Sequence, residues 1–208
     1  MVVPGMGRHG VGRPAVAARI VSEVLAPAPV VTALLLVAAV VTAPTRAEAV
    51  RNALIAAVFG ALVPLGFVLY QVRRRRFTDH HVSVRRQRPI VFVVAMLSVL
   101  VGTGLLVGLG APRALLGVIV SGIIGIAICG LITTVWKVSV HAATFTGSVV
   151  LLAYLLGPLA LPLLPAVPLV GWARVAAGGH TPAEAAGGTV VGGVVAAIAY
   201  PVAAGLPR

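Results

Sequence analysis

Acidic residues are scarce in this chain of 208 residues: four Asp and Glu stand against sixteen Lys and Arg, a formal charge of +12. Glu23, Glu48, Asp79 and Glu184 are scattered along the sequence, so no acidic cluster of the Mg²⁺-holding type is present. No acid sits in the middle of an apolar run, which argues against an ion- or proton-coupled carrier. Cysteine is nearly missing as well. Cys129 stands alone in an apolar stretch, so neither an internal disulfide framework nor a thiolate metal cluster can form within one chain. Aromatics make up only 5%, too few to pair with the basic charge as stacking platforms for nucleic acid. Charged residues are 10%, where ordinary soluble domains carry roughly 25%.

What fills the chain is hydrocarbon-soluble: 60% hydrophobic residues and a mean hydropathy of +1.10. The composition is that of an integral, polytopic membrane protein. Its fold class is an all-α transmembrane bundle of six to seven spans. Residues 1–20 read as a flexible, Gly/Pro/Arg-bearing lead-in, and 21–208 as a single transmembrane domain. Seven apolar runs cover 25–43, 53–72, 90–109, 115–135, 142–156, 159–170 and 184–204. The first is too long for the apolar core of a signal peptide and reads as an uncleaved helix. Pro64 and Gly66 mark a kink in the second. The fifth and sixth are short for spans, which need about 20 residues. Pro158, Pro162, Pro165 and Pro168 break them into a kinked hairpin. In the last, Gly188 and Gly192 offer a small-residue face for close helix packing.

Three polar segments interrupt this pattern. Residues 73–89 hold seven Arg, His80, His81 and Asp79; Lys137 to His141 follow the fourth run; Arg174, His180 and Glu184 precede the last. A basic loop is most often only a topology signal, but ionisable groups beside a bilayer usually mark a site that uses them. Ser139 can cap the next helix and put His141 in its first turn. Thr181-Pro182-Ala183-Glu184 has the form of a capping box with Pro at the first helical position. Seven crossings place all three segments on one membrane face. That inference requires residues 142–170 to cross twice.

The three segments together resemble the signature of the type 2 phosphatidic acid phosphatase superfamily: Lys-x6-Arg-Pro, then Pro-Ser-Gly-His, then Ser-Arg-x5-His-x3-Asp. Arg88-Pro89 matches the end of the first part, with His81 in the Lys register. Ser139 and His141 match the second, and Arg174, His180 and Glu184 occupy the third, with Ala for Ser and Glu for Asp. The resemblance implies a membrane lipid phosphatase acting on a phosphatidate-type or isoprenoid phosphate or diphosphate, through a phosphohistidine and without a cofactor or metal. His180 would be the nucleophile, Glu184 its carboxylate partner and His141 the general acid. Arg174, Arg88 and Ser139 would hold phosphate, with Arg85, Arg86 or Lys137 replacing the family Lys; His81 is either a cation beside phosphate or only a loop residue. Glu184 has two readings, cap or catalytic partner, which compete for one carboxylate.

A second reading is a non-catalytic membrane protein that binds or transports anionic phospholipid; a zinc site from His80, His81, His141 and His180 ranks below both. The partners implied are a lipid phosphate and the membrane, with no nucleic acid. Arg8, Arg13, Arg19, the seven Arg of 73–88, Lys137 and Arg174 fall on the site's side, against Arg46, Arg51, Arg113 and Arg208 on the other. The positive-inside rule makes that side cytoplasmic, in a bacterial-type plasma membrane. The sign survives when Arg85, Arg86, Arg88, Lys137 and Arg174 are set aside as ligands, whereas many members of the family work on the outer face.

Overall fold

The computed structural model describes residues 13–206, with side chains from residue 16 onward. Its elements are α1 (Arg13–Val24), α2 (Pro27–Thr42), α3 (Arg46–Ala57), α4 (Val63–Arg73), α5 (Arg88–Gly108), α6 (Arg113–Val135), α7 (Val140–Leu156), α8 (Ala166–Ala176) and α9 (Pro182–Ala204). There is no strand among the described residues. Six helical stretches are long and apolar enough to cross a membrane: Val16–Thr42, Arg46–Arg73, Arg85–Gly108, Arg113–Val135, Val140–Leu163 and Pro182–Ala204. Their outward side chains, among them Leu131, Val135, Val190 and Ile198, are exposed and apolar. That is the surface a helix bundle presents to lipid, where backbone polar groups must be satisfied within each helix.

The lead-in differs from expectation. Residues 1–12 lie outside the described residues, but Arg13 to Ile20 belong to α1, which packs along α8. The second run is also longer than its apolar core, starting at Arg46 where Thr45 accepts from the Glu48 N–H at 3.2 Å. The kink at Pro64 takes a specific form. Val58–Leu62 is a π-helical turn joining α3 to α4, with the Val63 N–H on Val58 O. A proline lacks the N–H that would continue the ladder, and in π register its partner would be Phe59 O. Ser98 Oγ of α5 donates to that carbonyl at 2.6 Å, so the wide turn leaves it paired.

Residues 140–176 run out from the polar face and back to it, with different boundaries: α7 and the stretch after it are long enough to cross, while α8 is a shorter apolar helix. α7 runs away from the polar face; Gly157–Leu163 then forms a 3₁₀ stretch, and α8 brings the chain back. Pro158 and Pro162 remove donors that an α-helix would need, which favours the tighter turn. α8 extends to Ala176, so Arg174 rides on its last turn, not in the following loop.

α9 packs against α6 and α7. Gly188 and Gly192 face α7 so closely that a Cβ on either would strike backbone, Ser139 O at Gly188 and Ala143 O at Gly192. The small-residue face therefore works within one chain. The central core lies between these helices, built from Leu34, Val99, Leu106, Leu115, Val118 and Tyr200 with their neighbours.

Candidate functional site

Each of the three polar segments is fixed by a helix end. Pro89 in the first turn of α5 sets Arg88 at that helix's start. Ser139 caps α7 through the Ala142 N–H at 3.4 Å, placing His141 in the first turn. Thr181 and Glu184 form the full capping box at the start of α9, with His180 immediately before it.

The segments meet through hydrogen bonds that span the sequence. Arg88 donates to Val82 O and to Val138 O, both at 3.0 Å. Lys137 Nζ donates to Gly179 O at 2.7 Å, and the Ser139 N–H to Glu184 O at 3.1 Å. His81, Arg88, Lys137, His141, Arg174, His180 and Glu184 thus come to one end of the bundle.

His180 is held by both ring nitrogens. Nδ1 lies 3.1 Å from Glu184 Oε2 and 3.2 Å from Lys137 O. Both partners only accept, so Nδ1 carries the proton and Nε2 presents its lone pair. Arg88 Nη2 stands 3.5 Å from that Nε2. Burial pushes the His180 pKa down to about 4, helped by Arg88, Arg174 and Lys137 and opposed by Glu184. The imidazole is neutral at pH 7. The two readings of Glu184 do not compete after all: Oε2 accepts from the Thr181 N–H at 3.0 Å and from His180 Nδ1 together. One carboxylate oxygen caps the helix and orients the ring.

Arg88, His141 and Arg174 are 5%, 5% and 4% exposed. His141 Nε2 and Arg174 Nε are buried without a hydrogen-bond partner. Burying such groups unpaired is costly. The Gly178-Gly179 pair makes room for Arg174. Gly178 turns with φ 73°, and a Cβ on Gly179 would lie 2.7 Å from Arg174 Nη2. Two guanidinium groups, one ammonium and one carboxylate cluster here, an excess of positive charge beside two buried, unpartnered polar atoms. The arrangement suits a multiply charged oxyanion.

Arg85 and Ser139 make contacts beyond those the resemblance implies, and one residue was missed. Arg85 is exposed and donates to Val135 O at 2.7 Å, so it caps the end of α6 and does not face the pocket. Ser139 is fully buried: its N–H donates to Glu184 O and its Oγ accepts from the Ala142 N–H at the α7 cap, which leaves only its O–H as a donor for an anion. Glu23, on α1, reaches His80 and His81 with contacts of 2.9–3.1 Å. Its only sequence signal is that of an acid at the edge of an apolar run. His81 in turn packs edge-on to His141, ring centroids 5.1 Å apart. Burial and the neighbouring His80 push the His81 pKa down, with Glu23 opposing.

Beneath the pocket lies an apolar cavity of about 170 Å³. Its lining starts at Val140 and Phe92, beside His141 and one turn from Arg88, and runs to Leu106, Val118 and Leu151. Compared with protein-family models, curated proteins and solved structures, the chain has no match.

Proposed function

We propose that this integral membrane protein hydrolyses the phosphate monoester or diphosphate of a lipid, with His180 as nucleophile. The observation that carries the reading is the state of His180: neutral, its Nδ1–H on Glu184 and Lys137 O, its Nε2 lone pair turned toward Arg88. A neutral imidazole fixed in one tautomer by a carboxylate is an activated nucleophile. His180 Nε2 attacks phosphorus and the bond to the lipid oxygen breaks. His141, protonated when the anionic phosphate lies beside it, gives that oxygen its proton, and lipid alcohol (or lipid monophosphate, from a diphosphate) leaves. His141 then takes a proton from water, the water oxygen attacks the phosphohistidine, and inorganic phosphate departs with His180 restored. Arg88 and Arg174 hold the equatorial oxygens, where positioning and charge stabilisation supply most of the rate.

The apolar cavity under His141 supports a lipid tail as the remainder of the substrate, and the likeness of the three segments to the type 2 phosphatidic acid phosphatases supports the chemistry. The charge count supports a cytoplasmic site. The test is phosphate release by detergent-purified protein without added metal, on phosphatidate, phosphatidylglycerol phosphate, and short and long prenyl phosphates and diphosphates. Turnover that is lost in His180→Ala is the expected result. Folded protein that binds these lipids and releases nothing would instead support the non-catalytic lipid-binding reading.

A further inference from the structure

The hydrolysis proposed above leaves one cluster unused. His80 Nε2 lies 3.0 and 3.1 Å from the two Glu23 oxygens, and His81 Nε2 lies 2.9 Å from Glu23 Oε1. The three donor atoms all fall within 4.8 Å of one another. We propose that Glu23, His80 and His81 form a binding site for a divalent cation of the zinc class, which clips α1 to the loop between α4 and α5.

The donor set fits the cation. Two imidazole nitrogens and one carboxylate oxygen are a common three-ligand set for zinc, leaving a fourth position for water or an anion. Bond lengths of about 2.0–2.1 Å in a tetrahedron put neighbouring donors roughly 3.3 Å apart. The Glu23–His separations of 2.9–3.1 Å need a few tenths of an ångström to open.

The backbone is shaped to present both rings together. Consecutive side chains in extended chain point to opposite sides, yet the His80 and His81 centroids are 4.2 Å apart. A turn brings this about: the Val82 N–H bonds Asp79 O at 3.2 Å, and Val82 sits at φ 50°. That conformation is costly for a β-branched residue. It is held by Asp79, whose carboxylate accepts from the Ser83 N–H, Ser83 Oγ and Thr78 Oγ1 at 3.0–3.3 Å, and by burial of Val82 against Val68 and Phe77. Asp79 is thus committed to the turn and is not a ligand. Because His81 also touches His141, a cation at this site adds positive charge beside the anion pocket.

The site rests on its own three residues, independently of the hydrolytic reading, and its test reads metal directly. Tag-free protein in detergent is stripped with chelator and titrated with Zn²⁺ by calorimetry, and with Co²⁺ by visible absorption as a ligand-field readout. Expected are one Zn²⁺ per chain, a Co²⁺ spectrum of tetrahedral nitrogen/oxygen type, and affinity lost by at least about tenfold in Glu23→Gln and in His80→Asn. Both substitutions are at exposed positions, and helical circular dichroism verifies that each variant is folded. His180→Ala keeps full zinc affinity while losing any phosphatase activity, which separates this site from the pocket. The proposal is overturned by absence of stoichiometric binding, by binding that Glu23→Gln leaves intact, or by binding that His180→Ala abolishes.

Discussion

At the scale of single residues, Glu184 joins folding to chemistry through one oxygen. Oε2 takes the Thr181 N–H and His180 Nδ1 together, so its two roles can be separated by an isosteric change. Glu184→Gln keeps an acceptor for the cap but removes the charge behind the ring. We expect turnover to fall steeply, by up to about 10⁴-fold, as when the carboxylate behind a catalytic histidine becomes an amide. The cost in stability should stay within about 1 kcal/mol, read as kcat beside thermal unfolding of the same preparations. His180 itself predicts a pH dependence. Its pKa is about 4 in the folded chain and near 6.5 when exposed. Between those values the unfolded chain binds more protons, so this group's stabilisation is complete above about 6.5 and is lost as pH falls toward 4. Unfolding temperatures of wild type and His180→Gln should therefore converge over that window. The acid limb of kcat/KM set by the nucleophile should lie near 4, well below an ordinary histidine.

At the scale of elements, the close approach of α7 and α9 is what brings Ser139, His141 and His180 to one place. Gly192→Leu puts a branched side chain against Ala143 O and should destabilise the bundle by roughly 1–3 kcal/mol, measured as denaturant-induced loss of helicity in detergent. Ser98→Ala should cost about 1–3 kcal/mol by leaving Phe59 O in the π-turn unpaired. Helix starts were legible in the sequence where a cap used local chemistry: Ser139 and the Thr181-Pro182-Glu184 box both sit where their spacing implied. What required the fold was contact between distant segments. α1 was hidden because its twelve residues carry charges at both ends and gain their partner only from α8. Glu23 looked isolated because His80 and His81 lie more than fifty positions away. Arg85 looked like a phosphate ligand because proximity in sequence to Arg88 says nothing about which side of a 3₁₀ turn it leaves from.

At the scale of the whole molecule, three loops far apart in sequence converge because an even number of traverses separates each from the next. The short pair formed by α7 and the Gly157–Ala176 return supplies the critical one. The exposed Arg73–Arg76 segment beside the pocket gives the face its positive bias, and the account puts that face in the cytoplasm. Cys129 is buried, so it provides a low background for labelling. Thr78→Cys should be blocked in intact cells only by membrane-permeant thiol reagents. Labelling by an impermeant reagent would place the pocket outside.

The central claim is that His180 Nε2 becomes bonded to phosphorus. The most direct measurement is rapid acid-free quenching of a turning-over mixture, followed by peptide mass spectrometry of the segment containing His180. The account predicts a phosphoryl group on His180 that appears on mixing with lipid phosphate, decays as inorganic phosphate is released, and forms more slowly when His141→Ala removes the acid that protonates the leaving oxygen. Sustained turnover with no phosphoryl adduct on His180, or turnover that survives in His180→Ala, would contradict it.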